Sequence, residues 1–386
     1  MEGIRHDFDS LVDRRQTASE KWERYQGRDV IPLWVADMDF RSPPAVIEAL
    51  HARIDHGIFG YTAPPQSLIA ATLDHLQLQF GWTVEPEWLV WLPGLVCGLN
   101  VACRAVGQPG DEVITFTPIY PPFMTAPPLA DHVTVTVPLC CDGHTRWAMD
   151  LEGLTRAITA KTRLLLLCNP HNPVGRVWSS NELLALAELA LRHDLIVCSD
   201  EIHAGLVLDT DKRHLPIAML NPEIARRTIT LHAPSKTFNI PGLGCSFAVI
   251  ADPALRNACK RAMAGIVPHV NLLGYTAAEA AYRHGEPWRR QLIAYLRDNR
   301  DLVLQRVAEM PGLHVYPVEA TYLAWIDTRQ TGIAQPAAFF EQAGVGLSDG
   351  ADFGLPGYLR LNFGCPRSLL AEALERMQRA LRERQR

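Results

Sequence analysis

At 386 residues, 48% apolar and 20% charged, the chain has room for a large globular unit and a smaller one, and it is too apolar to be disordered. A net charge of −5 offers no basic field for nucleic acid, and no apolar run approaches the roughly 20 residues that a membrane helix needs. Nine scattered cysteines without a Cys-x-x-Cys pair, several in apolar runs such as those at Cys168 and Cys198, point to reduced thiols and a cytoplasmic protein.

The start, Met1 to Asp7, has no apolar signal region. The first strand pattern covers Trp88 to Leu92 and runs into Pro93-Gly94-Leu95-Val96-Cys97-Gly98, which opens a helix to about Val106. Free N–H groups at such a helix start can bind phosphate, although this turn is neither Gly-x-Gly-x-x-Gly nor Gly-x-x-x-x-Gly-Lys-Ser/Thr. A strand over Glu112 to Thr117 ends at Tyr120, held among prolines, where its ring is either packed or free to stack on an aromatic ligand. Strands are also expected over Val133 to Val137, Arg163 to Cys168, Leu195 to Cys198, Arg227 to His232 and Gly244 to Ile250. Ser179 and Glu182 form a capping box ahead of a helix through Leu183 to His193.

Several of these strands are unbroken apolar runs alternating with helices, which predicts an α/β fold with a mostly parallel seven-stranded sheet covered by helices. After about residue 280 the pattern changes to long helices, Glu286 to Met310 and Arg367 to Arg384. These flank short strands over Leu313 to Tyr316, Tyr322 to Ile326 and Tyr358 to Asn362, the mark of a smaller α+β unit. The expected division is an N-terminal segment 1–45 joining the small unit, a large unit 46–280 and a small unit 281–386. The basic tail Arg379 to Arg386 reads as a solvated helix end.

Ligands of open α/β sheets bind at the carboxyl ends of strands, and three polar loops fall there. Asn172 lies in Asn169-Pro170-His171-Asn172-Pro173-Val174-Gly175, Asp200 in Ser199-Asp200-Glu201-Ile202-His203, and Lys236 in Ala233-Pro234-Ser235-Lys236-Thr237-Phe238-Asn239. A carboxylate just past a buried strand needs a cationic partner. A lysine, an acid, an asparagine, a phosphate-binding helix start and a flat ring are together what pyridoxal phosphate requires. The lysine forms the Schiff base, the acid keeps the pyridine nitrogen protonated, and the asparagine bonds the ring hydroxyl.

With these motifs, and with Trp34-Val35-Ala36-Asp37-Met38-Asp39-Phe40, Phe59-Gly60-Tyr61-Thr62 and Leu359 to Arg367 at family-like spacing, nearly the whole chain resembles the fold-type I pyridoxal-phosphate enzymes. Within them it is similar to the cystathionine β-lyase-like C–S lyases related to class I/II aminotransferases. The resemblance implies that Lys236 carries the cofactor, Asp200 pairs with its ring nitrogen, Asn172 contacts its ring oxygen and Tyr120 stacks on it. Leu95 and Val96 would give backbone donors to the phosphate, Arg360 would bind the substrate α-carboxylate, and Tyr61 would reach the neighbouring subunit's site, which makes the protein a homodimer. Taken alone, Arg360 reads as a strand arginine in a surface ion pair and Tyr61 as a packed ring.

Two departures from the broader aminotransferase pattern stand out. His203 occupies the place of a common tyrosine, as in the C–S lyases, and it reads equally as a ring contact or as a histidine satisfying a backbone group. Gly242 to Ser246 contains no phosphate-gripping arginine, which leaves Ser235 as a candidate helper. The implied activity is β-elimination from L-cystathionine or a related cysteine S-conjugate, giving a thiol, pyruvate and ammonia, with Lys236 as the base that removes the Cα proton. The same residues would serve an aminotransferase. A regulatory protein that keeps only the fold is a further reading, but no basic helix-turn-helix supports DNA binding.

Overall fold

The computed structural model describes residues 5–141 and 146–384; Met1 to Ile4 of the start and Gln385 and Arg386 of the tail lie outside the described residues. The large sheet contains β1 (Leu89–Leu92), β2 (Glu112–Thr117), β3 (Val133–Pro138), β4 (Thr162–Cys168), β5 (Ile196–Asp200), β6 (Thr228–His232) and β7 (Ser246–Val249), in the order β1-β7-β6-β5-β4-β2-β3. Strands β2 to β6 pair in parallel, while β7 is antiparallel to both neighbours. The expected mostly parallel sheet is therefore present.

Burial on both faces explains the unbroken apolar strands. In β4, Leu165 and Leu167 pack with Leu183 and Leu186 of the helix α2 (Ser180–Arg192), while Leu164, Leu166 and Cys168 pack with Leu95 and Leu99 of α1 (Leu95–Ala105). Successive side chains of a strand point to opposite faces, so both parities must be apolar. The capping box at Ser179 and Glu182 is formed, which fixes where α2 begins. The strand ends of the large sheet lie within one residue of the pattern except at two, which differ by two residues. β5 extends through Asp200, which registers with Cys168 and Leu231. β7 starts only at Ser246, because Gly244 turns the chain with a φ of 55°.

A second sheet contains β8 (His314–Val315), β9 (Leu323–Asp327), β10 (Ser348–Asp349) and β11 (Tyr358–Asn362), all antiparallel in the order β8-β9-β11-β10. Its core includes Leu292, Leu296 and Val303 of α3 (Glu286–Ala308) and Leu370, Leu374 and Met377 of α4 (Arg367–Arg384). The N-terminal segment joins this layer. Ile31–Pro32 pairs in parallel with Val345–Gly346, and Phe8, Leu33, Met38 and Phe40 are buried in the same core. Among the described residues no helix is long and apolar enough to cross a membrane.

Candidate active site

The carboxyl ends of β4, β5 and β6 open on a cavity of 780 Å³ whose opposite wall is the N-terminal segment and the small sheet. Its lining brings together Leu95, Val96, Tyr120, Asn172, Asp200, His203, Ser235, Lys236 and Arg360. Tyr61 stands apart. It is fully exposed and lies outside this lining, so it is not a packed ring within its own chain.

Lys236 is half-buried, and its Nζ donates to the Ala36 carbonyl at 2.5 Å. Burial brings its amine down to about 8, with Arg360 adding to the effect and Asp37 and Asp200 opposing it. Asp200 is 5% exposed, and Oδ1 accepts from the Ile202 N–H at 3.1 Å. Burial raises its carboxyl to about 7, against the pull of that N–H and of Lys236. A buried acid held this high, in a cavity and with no cation against it, marks a candidate site for a cationic ligand group.

Arg360 projects from β11 and is buried, so it is not in a surface ion pair. Its Nη1 donates to Asn172 Oδ1 at 3.1 Å and its Nη2 to the Trp34 carbonyl at 2.8 Å, while the guanidinium lies 4.6 Å from the Phe353 ring. Its Nε is buried without a hydrogen-bond partner. With no carboxylate against it, burial lowers even this arginine to about 10. A fork held this way suits a planar anion from outside the chain.

His203 is buried, and burial lowers it to about 3, so the ring is neutral. Its Nδ1 has no partner, which argues against a histidine spent on a backbone group. Tyr120 is half-buried, and its turn is tied to the Asn172 loop by His171, whose Nε2 meets the Pro118 carbonyl at 2.8 Å. The start of α1 places Leu95 and Val96 on the cavity, with Gly94 leaving open space where a Cβ would stand. The cations lining the cavity are Arg24, Lys236 and Arg360, none of them on the Gly242 to Ser246 turn. Phosphate at this end would be met by neutral donors: N–H groups at a helix start and the Ser235 hydroxyl. A lysine, an acid without its cation, an orphaned guanidinium N–H and a helix start fit pyridoxal phosphate and an amino-acid carboxylate.

Sequence reasoning found Arg360 on the far wall but missed the groups around it. The Trp34 and Ala36 carbonyls, Ser348 and Tyr322 all hold catalytic candidates or their acceptors; Ser348 Oγ donates to the Trp34 carbonyl at 2.8 Å and the Tyr322 hydroxyl to the Ala36 carbonyl at 2.9 Å. The Trp34 to Phe40 motif pointed to these carbonyls, but without a role.

The model of the family "Aminotransferase class I and II" matches residues 28–377. Cystathionine beta-lyase PatB of Bacillus subtilis is 38% identical, over 97% of this chain and 99% of its own. The solved structure of OvoB is 48% identical with a TM-score of 0.95, covering 97% of this chain and 99% of that one. A pyridoxal-phosphate-bound C–S lyase from Staphylococcus hominis is 32% identical with a TM-score of 0.91, covering 98% of both chains. The relatives and the cavity agree: the chain belongs to the class I and II aminotransferase family, as one of its pyridoxal-phosphate-dependent carbon–sulfur lyases.

Proposed function

We propose that the enzyme eliminates a thiol from L-cystathionine or a related cysteine S-conjugate, giving pyruvate and ammonia. The observation that carries the chemistry is Lys236, an amine brought down to about 8 in a cavity shared with Asp200 and Arg360, and the C–S lyases among the similar proteins favour elimination over the transamination that these residues would equally serve. Pyridoxal phosphate, when bound, supplies an electron-withdrawing ring that takes up the electron pair freed at Cα. Lys236 would be the attachment point for the cofactor, and its amine would serve as the base at the Cα proton of the substrate. Asp200 would keep the proton on the ring nitrogen, Asn172 would bond the ring oxygen, Tyr120 would cover the ring, and the neutral His203 would pack beside it. The N–H groups of Leu95 and Val96 and the Ser235 hydroxyl would hold the phosphate. Arg360 takes the α-carboxylate, offering the Nε that has no protein partner.

The choice of L-cystathionine is supported by the cavity mouth, where Arg24 stands with Glu20 and Asp352, charges of both signs that suit a zwitterionic leaving arm. A homodimer is supported by the exposed Ile58, Phe59 and Tyr61 in one segment, through which Tyr61 would reach the partner's cavity. The division into 1–45, 46–280 and 281–386 is supported by the pairing of Ile31–Pro32 with Val345–Gly346. A cytoplasmic location is supported by nine cysteines with no disulfide among them.

The test is pyruvate and thiol release from L-cystathionine without a keto acid, which Lys236→Ala should lower by about 10⁴-fold or more. Turnover that needs a keto-acid acceptor would make the enzyme a transaminase, and unimpaired Lys236→Ala would remove the lysine from the chemistry.

A further inference from the structure

The loop carrying Asn172 is fixed to the small sheet at two points. At its tip, Asn172 Oδ1 accepts from Arg360 Nη1. At its base, Arg176 is 2% exposed, and its Nε donates to Glu319 Oε2 at 3.0 Å. Arg176 Nη2 meets both carboxylate oxygens of Glu182 at 3.0 and 3.1 Å, Nη1 donates to the Trp147 carbonyl, and the guanidinium lies 4.8 Å from the Trp178 ring. Every edge of that planar fork is occupied, so it has one position.

Glu319 is equally constrained. It is buried, Oε2 also accepts from the Val177 N–H at 2.8 Å, and Oε1 pairs with Lys212 Nζ at 3.3 Å. The Glu319 and Ala320 N–H groups donate to the Gly175 carbonyl at 2.9 and 3.0 Å. Thr321, with a φ of 75°, then leads into β9, where Trp325 registers opposite Arg360 of β11. A continuous frame thus runs from Arg176 through Glu319 and β9 to Arg360, and it closes on itself at Asn172.

We propose that Arg176 and Glu319 are positioning residues that set the spacing between Asn172 and Arg360, and through it the recognition of the substrate's α-carboxylate. The inference rests on the reading of Arg360 as the carboxylate site. Neither residue lines the cavity, so an effect on binding must pass through the frame. A role in general stability would weaken all ligands alike, whereas this role weakens only ligands that carry the carboxylate.

The experiment titrates the cofactor absorbance of the loaded enzyme with L-alanine, which has no leaving group on Cβ, and with ethylamine, the same amine without its carboxylate. Arg176→Lys should weaken L-alanine by about tenfold and leave ethylamine within about twofold. Glu319→Gln, which keeps the side-chain size and an acceptor for the Val177 N–H, should do the same and serves if Arg176→Lys does not fold. Equal weakening of both amines, or of neither, would overturn the proposal. Arg360→Lys is the control for the underlying reading. If it leaves the preference for L-alanine intact, the carboxylate site lies elsewhere; if it abolishes that preference while Arg176→Lys and Glu319→Gln keep it, only the positioning role fails.

Discussion

Asp200 and Glu201 are consecutive and both buried, yet one turns into the cavity and the other away from it, and their environments push them in opposite directions. Asp200 has one backbone N–H and a distant lysine, and burial raises it to about 7. Glu201 suffers the same burial, but His214 Nε2 at 2.7 Å and His232 Nε2 at 3.3 Å outweigh it and hold the carboxyl near 2. The Ser199 hydroxyl donates to its other oxygen at 2.9 Å. The protein has completed one carboxylate with its own groups and left the other with a single backbone N–H. Burial alone does not mark a functional acid; burial without a partner does.

The largest effect that would break this contrast is on catalysis. Asp200→Asn should cost about a thousandfold in kcat/KM for pyruvate release, because the amide cannot stabilise a proton on the ring nitrogen. Near-normal turnover would mean that Asp200 is only a buried polar residue. Glu201→Ala should act on the fold instead, costing about 4 kcal/mol in thermal or denaturant unfolding by stranding His214 and His232. The folded variant should keep its turnover; a loss of catalysis without a loss of stability would give Glu201 a direct part in the chemistry.

The pH dependence of the cofactor-free enzyme sharpens the same contrast. Asp200 is raised from 3.8 to about 7, so the folded state holds its proton more tightly. Its contribution is therefore present below 3.8 and is lost as pH rises through about 7. Glu201 is depressed from 4.5 to about 2, so its contribution is present above 4.5 and is lost as pH falls towards 2. Asp200 contributes a downward slope of about 3 kcal/mol between pH 4 and 7, opposed by His75, His171 and His203, all lowered by burial, and Asp200→Asn should remove that downward slope from the measured profile. A profile in which Asp200→Asn leaves that slope in place would assign it to another group.

The sequence exposed one side of this site far better than the other. Asn172, Asp200 and Lys236 were legible because each follows an apolar strand, and a polar residue at a strand's carboxyl end has few structural reasons to be there. The pairs around Glu201 were not legible, since His214 and His232 reach it only once β5, β6 and the intervening chain have folded. Ladders of two residues, such as Ile31–Pro32 with Val345–Gly346, are too short to show a period. The Trp34 and Ala36 carbonyls leave no trace at all, because every residue has one. Arg360 was assigned from its motif, but its lack of a carboxylate partner, the feature that marks it as a site, is a property of packing.

Ser199→Ala is the smallest of these changes and the finest probe of what holds Glu201. It removes one hydroxyl from a fully buried position, leaving Oε2 with His214 and His232 and depriving Oε1 of its donor. A single buried hydrogen bond to a charged group gives an expected loss of about 1–2 kcal/mol, well below that of Glu201→Ala. The Glu201 carboxyl should also rise, which moves the acid-side loss of stability to higher pH. Turnover should not change, because Ser199 does not line the cavity. If Ser199→Ala costs as much as Glu201→Ala, the hydroxyl rather than the two histidines is what completes the carboxylate.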